Sequence, residues 1–187
     1  YEIPEGSKNS KGRAMQNLIN IEQDDRVKAF ICTQDLKDEE YVNSNYVIMA
    51  TKMGQVKKTS LEQYSRPRSN GINAITIKDD DELLEAKLTN GNSQIMLAVK
   101  SGKAIRFEES KTRPMGRNAS GVRGIRLKDN KDEVVGMISV NDMDANILVV
   151  SENGFGKRSS LEDYRLTNRG GKGVKTISIT EKTGKLV

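Results

Sequence analysis

Gly71-Ile72-Asn73-Ala74-Ile75-Thr76-Ile77 returns twice along the chain, and no other feature narrows the fold as much. Its later copies are Gly121-Val122-Arg123-Gly124-Ile125-Arg126-Leu127 and Gly173-Val174-Lys175-Thr176-Ile177-Ser178-Ile179, with starts 50 and 52 residues apart. Each copy sets aliphatic side chains at its second, fifth and seventh positions. That is strand chemistry with one residue out of step, as at a bulge. A period of ~20–50 residues points to a radial or stacked repeat architecture.

A second landmark keeps the period. Lys52-Met53-Gly54-Gln55-Val56-Lys57-Lys58, Lys100-Ser101-Gly102-Lys103-Ala104-Ile105-Arg106 and Glu152-Asn153-Gly154-Phe155-Gly156-Lys157-Arg158 each centre a glycine between two β-prone runs, which predicts hairpins. Ser60-Leu61-Glu62-Gln63-Tyr64 recurs as Ser160-Leu161-Glu162-Asp163-Tyr164. Between glycine strand and hairpin lies an acidic turn, Asp79-Asp80-Asp81-Glu82 and then Asp129-Asn130-Lys131-Asp132-Glu133. One repeat therefore reads as four short strands, the content of a propeller blade. The predicted fold is all-β and propeller-like, a single domain over 1–187 with repeats at about 12–65, 71–112, 121–165 and, incomplete, 173–187. About three and a half blades do not close a ring, so an open edge is expected. The extra length of the first repeat, Gln34 to Asn45, carries Asp35, Asp38, Glu39 and Glu40 and reads as a solvated loop.

With 31 Lys and Arg against 26 Asp and Glu, the net charge of +5 favours an anionic partner only if the cations are gathered. They gather after each hairpin and in the arm leading to the next glycine strand. The first set is Lys57, Lys58, Arg66 and Arg68; the second is Arg106, Lys111, Arg113 and Arg117, with Arg123 just beyond; the third is Lys157, Arg158, Arg165, Arg169 and Lys172. Repeated around an axis, such positions make a basic rim, with the acidic turns elsewhere. A basic rim suits duplex DNA, because each phosphate neutralised releases counterions and gives salt-sensitive affinity with little sequence preference. The same cations also fit a plainer role in solvation and edge protection.

The loop Arg169-Gly170-Gly171-Lys172-Gly173 joins two cations to three glycines. It is a candidate to offer N–H groups and cations to a phosphate, and equally a flexible loop; it lacks the Gly-Lys-Ser/Thr ending of a nucleotide-binding P-loop. Reversing Arg106 and Arg158 to Glu is expected to weaken DNA binding without unfolding, since neither is expected in the core.

The chain has no His, which excludes triads, imidazole bases and His–metal sites, and no catalytic residue or metal site is assigned. Asp79 and Asp81 read as solvated turn acids. Cys32 is alone, so no intrachain disulfide or cysteine metal cage forms, consistent with a reducing cytoplasm. Aromatics are 4%, and Tyr64 and Tyr164 occupy equivalent places suited to packing rather than base stacking. No apolar run approaches the ~18 residues that cross a bilayer. The opening Tyr1-Glu2-Ile3-Pro4-Glu5-Gly6 lacks a leader pattern and an initial Met and reads as the edge of a longer protein.

Several of these segments together resemble a known family. Tyr1-Glu2-Ile3-Pro4-Glu5, Lys11-Gly12-Arg13-Ala14, Gly54-Gln55-Val56-Lys57-Lys58-Thr59, the run Met115 to Leu127 and Asn153-Gly154-Phe155-Gly156-Lys157-Arg158 are similar to the C-terminal domain of bacterial DNA gyrase A, over essentially the whole chain. The resemblance implies a six-bladed β-pinwheel whose basic edge wraps double-stranded DNA for an enzyme that introduces negative supercoils. It places the cleaving tyrosine, ATP and Mg in other parts of that enzyme, with no cofactor in this domain, and implies an A2B2 assembly with gyrase B and the remainder of gyrase A. The family's gyrase A-box reads Gln-Arg-Arg-Gly-Gly-Lys-Gly in the first blade, whereas Thr167 to Gly173 keep only Arg-Gly-Gly-Lys-Gly, in the last repeat. That loop therefore resembles a degenerate later copy, and the box itself is expected before Tyr1. Two alternatives stand beside this reading: the corresponding A-type domain of topoisomerase IV, and a propeller that docks proteins through its acidic turns and the Asp35 to Glu40 loop.

Overall fold

The structure is a computed structural model that describes residues 3–22 and 24–187. Tyr1 and Glu2, which open the first family-like segment, lie outside the described residues. All three predicted hairpins form: β1 (Tyr46–Thr51) with β2 (Gln55–Ser60), β4 (Gln94–Val99) with β5 (Lys103–Glu108), and β8 (Asn146–Val150) with β9 (Gly156–Ser160). Gly54, Gly102 and Gly154 turn them at φ of 82, 81 and 78°, a region open to glycine without a Cβ penalty. In each turn the glycine N–H donates back to the strand end, to the carbonyl of Thr51, Val99 or Ser151.

The remaining strands are β3 (Leu83–Thr89), β6 (Val122–Arg123), β7 (Val134–Val140) and β10 (Val174–Lys175). They complete two four-stranded antiparallel sheets, ordered β3-β1-β2-β6 and β10-β5-β4-β7, while β8 and β9 form a two-stranded sheet among the described residues. The sheet is thus not the sequence repeat. Each full sheet takes its central hairpin from one repeat, the long outer strand on one side from the next and the two-residue outer strand on the other side from the one after. The chain steps from β3 in one sheet to β4 in the next across only Asn90–Ser93.

Of the predicted glycine strands, Gly71–Ile77 forms no strand, and the other two are shorter than their apolar pattern predicts. Beyond Val122–Arg123 the chain leaves the ladder, because the N–H groups of Gly124 and Ile125 both turn to the Gly54 carbonyl. Thr176 and Ile177 do the same at Gly102. Ile125 is thereby delivered into the core instead of along a strand.

One core joins the two full sheets face to face: Ile48, Ala50 and Val56 of the first pack with Ile95, Leu97, Ile105 and Phe107 of the second, closed by Ile125, Val134 and Met137. Each fully buried side chain of this size contributes about 1.5–3 kcal/mol of transfer free energy. A second cluster, Val47, Met49, Leu61 and Val42, covers the opposite face of the first sheet. The central strands β1 and β2 are consequently buried on both faces, with no solvent side.

Val42 corrects one expectation. The 34–45 segment is not a solvated loop but carries a short helix, α1 (Glu39–Ser44), capped by the Asp38 carboxylate, which accepts from the Glu40 and Tyr41 N–H groups. Three of its four acids are spent on the cap and first turn, favourable places for negative charge. The acidic turns are also more than solvation. Asp81 accepts from the Met53 N–H at 2.8 Å, and Asp132, 5% exposed, accepts from the Ser101 N–H and hydroxyl and the Lys128 N–H. Each acid clamps the hairpin turn of the preceding repeat. At the third hairpin the following repeat offers Gly184 where the aspartate would stand, and Asn153 reverses the polarity by donating to the carbonyls of Glu181 and Lys182.

Candidate nucleic-acid interface

Lys57 and Lys58 are not surface cations. Lys57 is 0% exposed, and its Nζ donates to the carbonyls of Ala74 and Arg117, 2.5 Å from each. Burial, and then the nearby Arg117 charge, pull its pKa from 10.5 down to about 8. The unfolded chain therefore holds more protons than the folded one between pH 8 and 10.5, so stability rises with pH across that window and the term is a constant penalty below it. A neutral amine keeps two N–H bonds, enough for both carbonyls. Urea unfolding is expected to show this rise in the wild type and not in Lys57→Met. Tyr64 donates to the same Ala74 carbonyl, and burial raises its pKa, so the comparison is read below pH 10.

Lys58 is buried beside Glu109, with Nζ 3.3 Å from Oε1 and 4.5 Å from the centre of the Tyr46 ring. Glu109, 0% exposed, also accepts from the Thr89 hydroxyl at 2.7 Å and the Ser93 N–H at 3.2 Å. Arg106, the register equivalent of Lys58, is half-buried and donates from Nη1 to the Leu161 carbonyl at 3.1 Å, so the expectation that its reversal leaves the fold intact is withdrawn. Lys157 and Arg158 are exposed, and no further strand flanks β8 and β9 among the described residues.

The arms keep strict register. Met115 N–H donates to the Lys58 carbonyl and Thr167 N–H to the Arg106 carbonyl, so the arm carrying Arg113 and the arm carrying Arg165 lie equivalently along β2 and β5. Arg66, Arg68, Lys111, Arg113, Arg123, Arg165 and Lys172 are exposed. Arg117 is half-buried, its N–H donating to Gln63 Oε1.

Arg169 to Gly173 form a strap rather than an open phosphate nest. Arg169 donates from Nε to the Lys111 carbonyl at 2.9 Å and from Nη1 to the Arg123 carbonyl at 3.1 Å. Gly170 N–H is spent on the Gly124 carbonyl at 2.6 Å, and the Gly171 carbonyl accepts from Arg126 N–H. Gly173 passes so close to β5 that a Cβ there would lie 2.5 Å from the Ala104 carbonyl. The strap draws Lys111 and Arg123 together and leaves Lys172 exposed on its outside.

One basic cluster escaped the sequence reading. A groove of about 520 Å³ at the hairpin-turn end of the second sheet is lined by Lys100, Lys103, Lys128, Lys131, Lys175 and Lys185, with Asp129, Asp132 and Ser101. Lys175 was the available signal, because it occupies the same edge-strand position as Arg123. Lys100 pairs with Glu133 at 2.8 Å, a hydrogen bond that holds its pKa above the usual lysine value.

The family described as DNA gyrase C-terminal domain, beta-propeller, matches residues 1–34, 45–90, 94–141 and 145–187. The first unmatched stretch, 35–44, contains α1. Over its full length the chain is 46% identical to the DNA gyrase A protein of Staphylococcus epidermidis and 46% identical to that of Staphylococcus aureus. It spans about a fifth of the length of these curated relatives, 20% and 21%. Among solved structures, the C-terminal domain of DNA topoisomerase IV superposes with a TM-score of 0.83 at 28% identity, over 94% of this chain and 53% of that one. The DNA gyrase A C-terminal domain superposes with a TM-score of 0.82 at 24% identity, over 95% and 57%, a likeness of fold.

Proposed function

The chain belongs to the DNA gyrase C-terminal domain family of β-propellers, and on that premise we propose that it binds and wraps duplex DNA as a non-catalytic module of a type IIA topoisomerase, within the gyrase A polypeptide. The observation that carries the reading is the equivalence of the arms. Arg113 and Arg165 are exposed at the same register point of successive sheets, and Arg123 projects from an edge strand. A cation repeated at the same place on successive sheets meets successive phosphates of a bent duplex without reading bases.

In this reading the module serves ATP-dependent negative supercoiling in the cytoplasm, at the nucleoid, while ATP, Mg and the cleaving tyrosine belong to gyrase B and the rest of gyrase A. The 46% relatives, both gyrase A proteins, favour gyrase over topoisomerase IV. Among the described residues no helix is long and apolar enough to cross a membrane. The protein-docking alternative is weakened by α1, which turns Val42 inward and leaves less of the 35–40 segment as a free loop.

Duplex binding measured against salt tests the reading. Log K is expected to fall steeply with log salt, and Arg113→Gln with Arg165→Gln is expected to lower that slope by about 2. A wild-type affinity indifferent to salt would overturn the proposal.

A further inference from the structure

We propose that the lysine groove at the hairpin-turn end of the second sheet is a phosphate-binding site through which DNA leaves the edge strands and crosses that end of the sheets. The inference rests on the DNA-binding reading above and adds a place to it.

The fold supplies its own comparison. The first sheet has a groove at the same position, lined by three cations, Lys78, Arg123 and Arg126, against three acids, Asp79, Asp80 and Asp81. The second has six lysines against two aspartates. The frame is the same in both, with the same glycine turn and the same aspartate clamp, so folding does not call for the extra lysines.

The acids beside them do not balance them in number. With Lys100 paired to Glu133, five lysines remain. Against those five stand Asp129 and Asp132 in the lining and Glu152, which accepts from the Lys185 N–H, so cations stay in excess. Lys103 and Lys175 face each other directly across the β5–β10 ladder, an arrangement of like charges that destabilises a sheet. In the first sheet the same pair is Gln55 opposite Arg123, with one charge. None of Lys103, Lys128, Lys131, Lys175 or Lys185 has a side-chain partner among the described residues. Lysines lining one groove in excess of its acids repel until an anion arrives, and a phosphodiester chain supplies several negative charges at regular spacing, converting that repulsion into counterion release. Ammonium groups act as point charges without bidentate geometry, so the site takes backbone phosphate and carries no base preference.

Lys128→Gln, Lys131→Gln and Lys185→Gln together, in the intact protein, test the site by duplex binding across a salt series. All three are exposed and outside the strands. The expected result is a salt slope lowered by about 2–3, additive with the Arg113 and Arg165 change, and a slope kept by the corresponding Lys→Arg triple variant. A Gln variant with the wild-type slope, while the Arg113 and Arg165 variant loses slope, overturns the groove and leaves DNA binding standing. Poly-glutamate binding lost in the Gln variant with the duplex slope intact likewise overturns the assignment to DNA. A slope lost in the Lys→Arg variant as well marks a structural role and overturns the site. Absence of any salt-dependent duplex binding by the wild type overturns the DNA-binding reading itself.

Discussion

Glu109→Ala is expected to destabilise the protein by about 3–5 kcal/mol, because it strands the buried Lys58 ammonium without its counter-charge. It also removes the acceptor for the Thr89 hydroxyl and the Ser93 N–H, both inside the fold. Register explains why the pair is replaceable. The place of Glu109 is held by Leu61 in the preceding repeat and Leu161 in the following one, both buried, and all three donate their N–H to the carbonyl that opens their hairpin, Asn45, Ser93 or Ala145. The double change Glu109→Leu with Lys58→Met is therefore expected to recover most of the loss, since apolar residues of similar volume often substitute for a buried pair at little cost. Urea unfolding of the two single variants and the double variant makes the comparison. A Glu109→Ala protein within about 1 kcal/mol of wild type would show that the charge is not held in a dry interior.

Gly121→Ala is expected to cost about 3 kcal/mol or more, through two effects that the repeat separates. At φ of 88° a side chain is strained, and the new Cβ would lie 2.5 Å from the Val56 carbonyl oxygen, backbone that cannot swing aside. Gly71 holds the same place in its repeat, with φ of 75° and nothing within 4 Å. Gly71→Ala is expected to cost only about 1 kcal/mol, the conformational part alone. Thermal melting of both variants reads the difference, and equal losses would exclude the overlap as a cause.

The hairpins were legible in the sequence because a glycine between two alternating runs leaves few other outcomes. The buried lysines were not, and the reason lies in what surrounds the strand. Reading Lys57 as a surface cation assumes that one face of its strand meets water. Here packed sheets and the 31–42 segment cover both faces. The register equivalents make the point: Lys57 and Ile105 are buried, whereas Lys157, on a sheet of two strands, is exposed. Chemical type at this place follows the neighbour supplied by another repeat, which no local pattern records. Asp38 was different. An Asp three places before a Tyr-Val pair is a cap signal, and the acidity of the segment masked it. Of the basic arms, Arg113 and Arg165 were readable because they lie outside the ladders, where sequence position and exposure coincide. The lysine groove was hidden because its members come from four separate segments.

The sharing of strands among repeats has a consequence for how such an array grows or shrinks. A duplication or deletion of one 50-residue period cuts through three sheets at once, taking a hairpin from one, a long outer strand from another and a two-residue outer strand from a third. Every cut is repaired only if the incoming period supplies the same three pieces in the same register. Lengthening by whole periods is then nearly silent, while a shift of a few residues is felt in three places, so the array counts in integers. Amide exchange should show the same arithmetic, with β1, β2, β3 and β6 losing protection together although 76 residues separate the first from the last.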